Sequence, residues 1–92
     1  LAGYKPVYFG AACRLHDTCY SRKGARKTTC DSDFGKLLVQ TCNDTLDGAF
    51  RKVSRGACRN AASEYTHQVK SRGCEPFKSA QLRVGTKAPS CN

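Results

Sequence analysis

Tryptophan and methionine are absent, and four tyrosines and four phenylalanines are all the aromatic bulk in 92 residues. A chain of this length buries only about two-thirds of its unfolded surface, so apolar burial alone leaves the fold thinly supported. No apolar run is long enough to span a membrane. Nothing resembles a cleavable leader, which makes the sequence read as a mature form. Internal repeats and low-complexity segments are missing. No serine lies in a Gly-x-Ser-x-Gly elbow, which argues against a serine-nucleophile hydrolase. Cys13 and Cys19 are six residues apart and the other cysteines lie wider still, so paired zinc-ligand spacings are lacking as well.

What the chain does have is sulfur and positive charge. Seven cysteines in a small domain imply a disulfide framework formed in an oxidising, extracellular compartment. Sixteen basic residues against seven acidic ones give a net charge of +9, with a local cluster at Arg22, Lys23, Arg26 and Lys27. This balance favours anionic partners such as acidic lipid surfaces or sulfated glycans, or else marks a solvated basic face. Nucleic acid is disfavoured, because no aromatic residues interleave with the cluster and no nucleic-acid-binding signature is present.

Hydrophobic spacing divides the chain into three helices. Gly3, Pro6 and Gly10 mark residues 1–10 as a loop. A first helix is expected over about 11–22, followed by a short basic connection in which Gly24 relieves the turn. A second helix begins at Asp31 or Ser32, capped by Thr29 or Asp31, with Phe34, Leu37, Leu38 and Cys42 on its inner face. It packs antiparallel to the first. Asn43-Asp44-Thr45 is a glycosylation sequon expected in a surface loop. The stretch 43–56 is irregular apart from a short helical piece at Ala49, Phe50 and Val53. A third helix covers about 57–70, with Ala61, Ala62, Tyr65 and Val69 on one side. His67 lies on another face without an acidic neighbour and reads as a surface histidine. From Ser71 onward Gly73, Pro76, Gly85 and Pro89 suggest a loop-rich tail. The expected architecture is one small, all-α, disulfide-rich domain over residues 1–92.

The densest chemistry lies in Cys13-Arg14-Leu15-His16-Asp17-Thr18-Cys19-Tyr20. On a helix, Cys13, His16, Asp17 and Tyr20 share one broad face and leave Arg14 and Thr18 outward. A histidine becomes a general base when a carboxylate fixes one ring nitrogen and frees the other. The pattern Cys-x-x-His-Asp-x-Cys-Tyr resembles the active-site helix of the secreted phospholipases A2. Cys30-Asp31-Ser32-Asp33-Phe34 resembles the start of that family's partner helix. From Cys42 to Lys70 the likeness is one of layout, with the small microbial branch.

This resemblance implies calcium-dependent hydrolysis of the sn-2 ester of glycerophospholipids at a membrane surface, anionic surfaces being favoured. His16 and Asp31 would be the catalytic pair, Asp17 a calcium ligand and Tyr20 a hydrogen-bond partner of Asp31. A structural His16–Asp31 pair and a half-buried Tyr20 with its hydroxyl in water are the plainer readings. Tyr4, Val7, Tyr8 and Phe9 would then form an apolar rim admitting a lipid tail, or else pack on the first helix. The resemblance also pairs Cys19 with Cys30 and Cys42 with Cys58, and Cys74 with Cys91 then closes the tail. Each such ring contributes about 3 kcal/mol on a chain-entropy view. A bond between Cys19 and Cys30 would set Asp31 beside the turn that carries His16.

Two departures from the family pattern qualify the picture. Cys13 matches a cysteine whose family partner lies on an upstream calcium loop, so it is expected to bond an upstream segment or a separate chain; a free buried thiol and a covalent homodimer are the alternatives. The glycine-rich calcium loop itself is not found in residues 1–12. Calcium takes six to eight oxygens, which leaves a second reading open: a catalytically silent phospholipase A2-like module or toxin subunit that binds membranes or a protein.

Overall fold

The computed structural model describes residues 7–91, and Tyr4 of the expected rim lies outside them. Four α-helices and one short 3-10 turn make up the described chain: α1 (Gly10–Tyr20), α2 (Lys27–Thr45), the turn Ala49–Arg51, α3 (Lys52–Arg72) and α4 (Cys74–Arg83). The all-α expectation holds, and among the described residues there is no strand. The molecule is elongated, 52 × 19 × 17 Å, with α2 and α3 in a long antiparallel hairpin and α1 laid beside α2.

Three disulfides hold these elements. Cys19–Cys30 ties the end of α1 to the start of α2, Cys42–Cys58 closes the α2–α3 hairpin near its turn, and Cys74–Cys91 pins the chain end to α4. The core is split in two. Ala12, Phe34, Leu38, Cys42 and Ala62 pack where α1, α2 and α3 meet. Tyr20, Cys30, Phe77 and Ala80 pack where α4 meets the α1–α2 connection. A chain with few large side chains thus fills two small interiors rather than one large one, with a cystine in or against each.

Several boundaries differ from the sequence reading. On α1 the buried line is Ala12, His16 and Tyr20, one residue every turn, while Cys13 and Asp17 lie beside it and are exposed. The face is therefore narrower than the one drawn from spacing. Helix α2 starts at Lys27 instead of Asp31, and the N-cap is Arg26, without a side-chain cap. The extra turn forms because Lys27 is anchored in the interior, so it does not belong to the solvated basic cluster. The sequon lies in the last turn of α2, not in a loop, and Arg59 donates to Asn43 Oδ1 from Nε at 2.9 Å and from NH2 at 2.6 Å. Helix α3 begins five residues earlier than expected. Gly56 stays helical within it, and Tyr65 is exposed and meets Phe9 edge to face at 5.8 Å.

The largest difference is α4, formed by residues expected to be part of a loop-rich tail. Pro76 reads as a breaker, but it falls in the first turn, where its missing N–H would have had no helical partner anyway. Glu75 in the first turn and Arg83 in the last complement the helix dipole. Phe77, Ala80 and Gln81 then supply a buried face at helical spacing.

Gln81 is 1% exposed and holds the end of α1 in place. Its Nε2 donates to the carbonyls of Tyr20 and Arg22, both at 2.8 Å. Its Oε1 accepts from the Gly24 amide at 3.1 Å and the Thr86 hydroxyl at 2.7 Å. Carbonyls at the end of a helix have no intrahelical partner, and here a side chain from another helix satisfies them. Truncating Gln81→Ala leaves these buried groups without partners, and urea unfolding is expected to show a loss of about 2 to 4 kcal/mol. An unchanged midpoint would mean that the α1–α2 connection is held by the Cys19–Cys30 bond alone.

Candidate active site

Helix α1 carries His16 and Tyr20 on its buried line, and the Cys19–Cys30 bond, with Cα atoms 5.7 Å apart, brings the first turns of α2 against them. Asp31, next to Cys30, therefore faces α1. The His16 Nε2 lies 2.7 Å from Asp31 Oδ1, and the Tyr20 hydroxyl donates to the same oxygen at 2.6 Å. The imidazole sits between rings of the two cores, 4.2 Å from Tyr20 and 4.7 Å from Phe34 by ring centre. The packing on both sides fixes the plane of the ring.

Lys27 is the member that reasoning from motifs missed. It lies one helical turn before Asp31, is 4% exposed, and its ammonium donates to Asp31 Oδ2. It also donates to the carbonyl of Val69 at 2.9 Å and to that of Lys70 at 3.2 Å, at the end of α3. An ammonium has three donors, and all three are used here. The negative end of the α3 dipole adds to the favourable field around it. The signal in the sequence was the four-residue spacing between a lysine and the candidate carboxylate, which charge counting assigned to the surface.

Gly73 completes the junction. A Cβ placed there would come within 2.4 Å of the Val69 carbonyl oxygen, 2.5 Å of the Tyr20 hydroxyl and 3.1 Å of Lys27 Cε. Only a residue without a side chain lets the start of α4 approach the hydrogen-bonded group so closely.

Burial by itself would raise the Asp31 carboxyl, but hydrogen bonds from Lys27, Tyr20 and His16, together with the Lys27 charge, outweigh it and hold Asp31 below the ordinary carboxylate range. Burial, the hydrogen bond to Asp31 and the charge of that carboxylate all push the Tyr20 phenol well above its usual value, so it stays a donor. An ionised carboxylate only accepts. In the neutral imidazole the proton therefore sits on His16 Nε2, and Nδ1 is the acceptor nitrogen. Among the described residues no group hydrogen-bonds to Nδ1 and no buried polar side-chain atom lacks a partner, which leaves Nδ1 accessible to solvent.

His16 lies in the wall of an open cavity of about 340 Å³ whose other lining residues include Asp17, Tyr20, Gln68, Val69, Arg72 and Gly73. Arg72, also unforeseen, places a cation at this wall. A second, mainly apolar groove of about 460 Å³ is lined by Val7, Phe9, Leu46, Ala57, Ala61 and Tyr65, among others. Of the expected rim, Val7 and Phe9 line this groove and Tyr8 is exposed, accepting a hydrogen bond from Arg14 at 3.3 Å. His67 is exposed, in keeping with its surface assignment. Cys13 is an exposed free thiol with no partner among the described residues.

Asp17 is exposed at the cavity beside His16. Among the described residues no three His, Cys, Asp or Glu side chains come together as a metal cluster. Calcium needs six to eight oxygens, so the described residues do not by themselves fit a calcium site.

The lowered Asp31 carboxyl links stability to pH. A group whose folded value is depressed contributes stability above its unfolded value of about 3.9, and that contribution is lost as pH falls through the folded value. Urea midpoints measured from pH 6 downward are expected to fall steeply below about pH 4. Asp31→Asn is expected to start lower and fall less over the same range.

The sequence matches the family described as group XII secretory phospholipase A2 precursor over residues 6–90. The match continues well past Lys70, where the motifs and layout showed no likeness. Group XIIA secretory phospholipase A2 from mouse and from human are each 29% identical to this chain over 69 residues. Those residues are 75% of this chain, and the chain spans 36% of the length of either relative. No solved structure matches. Membership in a secretory family agrees with the three disulfides and makes this a secreted, extracellular protein. With the family match running over nearly all of its length, the chain belongs to the group XII secretory phospholipases A2.

Proposed function

We propose that this chain, as one domain over residues 1–92, hydrolyses the sn-2 ester of glycerophospholipids at a membrane surface in a calcium-dependent manner. The observation that supports this reading best is the 2.7 Å contact between His16 Nε2 and Asp31 Oδ1, with Nδ1 left open to solvent. A water at Nδ1 gives its proton to the imidazole as its oxygen attacks the ester carbonyl carbon. Asp31 remains ionised and stabilises the imidazolium that forms. The tetrahedral intermediate collapses as the imidazolium returns the proton to the glycerol oxygen, releasing a fatty acid and a lysophospholipid. Tyr20 and Lys27 hold Asp31 so that it cannot rotate away from His16. Arg72 offers a cation to the phosphate, and the apolar groove along α3 gives an acyl chain a place to lie.

Calcium would enter this reading through Asp17, which could supply one ligand oxygen of the six to eight required, with the others coming from outside the described residues. Cys13, exposed and free, is the point at which an upstream segment or a second chain would attach. The competing reading, a silent module that binds lipid or protein, is favoured by the lone carboxylate of Asp17 beside the base.

Two experiments separate these readings and test the roles. Fatty-acid release from mixed phospholipid vesicles, measured with calcium and with chelator, is expected to need calcium and to fall about 10²- to 10⁴-fold in His16→Gln. No release under any calcium concentration would leave the silent module. Removing Lys27 strands the buried Asp31 charge, so Lys27→Met is expected to cost about 3 to 5 kcal/mol in denaturant unfolding. The pair Lys27→Met with Asp31→Asn is expected to regain much of that stability while hydrolysis stays lost. Activity in this pair would show that the carboxylate is dispensable to the base.

A further inference from the structure

The turn between α2 and α3 exposes apolar surface that packing does not explain. Phe50 is 100% exposed and Val53 87% exposed, although this chain has few large apolar side chains to spend. The turn that carries them is firmly built. Leu46 is buried at its base, and Arg55 donates to the carbonyls of Leu46 at 2.6 Å and Gly48 at 2.8 Å. Gly48 has φ +93, a conformation that L side chains rarely adopt. With Cys42–Cys58 closing the hairpin just behind it, Phe50 projects from a fixed support.

We infer that the tip formed by Phe50 and Val53 with Arg51 and Lys52 is a membrane anchor that inserts into the headgroup region of an anionic bilayer. Three observations fit a bilayer. The apolar residues protrude from the end of the hairpin, where they can enter the headgroup layer. Arg51 and Lys52 stand between and beside them, and only Asp47 within the turn offsets that charge, at 3.9 Å from Arg51. Apolar tips between basic residues suit the boundary between acyl chains and acidic headgroups.

The third observation is the line of α3 itself. Ser54, Ala57, Ala61 and Tyr65 line the apolar groove, while Gln68 and Arg72 line the cavity of His16. These positions follow one another at three- and four-residue steps, so they lie on a single face of α3 that leads from the tip to the site. Ser54 to Gln68 spans about 21 Å at 1.5 Å per residue. A bilayer touching the tip would lie along this face and reach the cavity. The inference rests on the phospholipase reading for its partner, but its test needs no turnover.

The wild-type protein is mixed in chelator with sedimenting vesicles of phosphatidylglycerol or of phosphatidylcholine, and bound and free protein are measured. Wild type is expected to partition onto phosphatidylglycerol, and Phe50→Ser with Val53→Ser to bind at least about tenfold more weakly. Circular dichroism and the thermal midpoint are expected to be unchanged, since neither side chain is packed. Leu82→Ser, at an exposed apolar residue on α4, is the control and is expected to bind as wild type does. Equal binding by the tip variant and wild type overturns the inference, as does no binding by wild type or an equal loss in Leu82→Ser. A wild-type dimer that the tip variant dissociates, without vesicle binding, overturns it in favour of a contact between copies. Hydrolysis of a short-chain, water-soluble phospholipid is measured separately: normal turnover with unaltered vesicle binding removes the anchor alone, and anchored but inactive protein removes the hydrolase reading alone.

Discussion

A carboxylate taken out of water needs hydrogen bonds on both oxygens, and at Asp31 that requirement organises three helices at once. Tyr20 and His16 from α1 meet one oxygen, and Lys27 from α2 itself meets the other. The same lysine reaches across to the last carbonyls of α3. Because an unpaired buried charge costs several kcal/mol, each of these helices is held in the position that keeps the group complete. The geometry of the candidate site and the stability of the fold therefore depend on the same contacts.

Such an arrangement suits a chain that cannot build a large interior. The two apolar clusters are small, and His16 lies where they adjoin, its ring in tilted contact with Phe34 of one and Tyr20 of the other. The cystines add covalent limits to these small interiors: at the start of α2, at the hairpin turn and at the chain end. Helix α4 extends the same economy. Through Gln81 it satisfies the end of α1, and through Gly73 it lets backbone approach the Tyr20 hydroxyl and Lys27.

The elongated hairpin separates two kinds of surface. At one end, polar groups converge on Asp31 and the cavity of His16. At the other, Phe50 and Val53 stand in solvent among basic side chains. The intervening face of α3 is lined by small residues and one tyrosine, which leaves a groove between the ends. The proposed hydrolysis would draw on both, because an ester has to reach a base while its acyl chains stay out of water.

Local sequence was sufficient for some of this. The three- and four-residue spacing of apolar positions marked α2 and α3, and that of Cys13, His16, Asp17 and Tyr20 marked α1, because a helix presents such residues on one side. The His16-Asp17 and Cys30-Asp31 motifs marked the family, and the cysteine count marked an oxidising environment. Only the tertiary structure decided what Lys27, Gln81 and Gly73 do, since each answers to groups from distant parts of the chain. A lysine in a basic cluster looks solvated until a carboxylate and the end of another helix surround it. Pro76 looks like a breaker until its place in the first turn of α4 is known. Composition and spacing describe a residue's neighbours along the chain, whereas burial, hydrogen bonding and charge depend on neighbours in space.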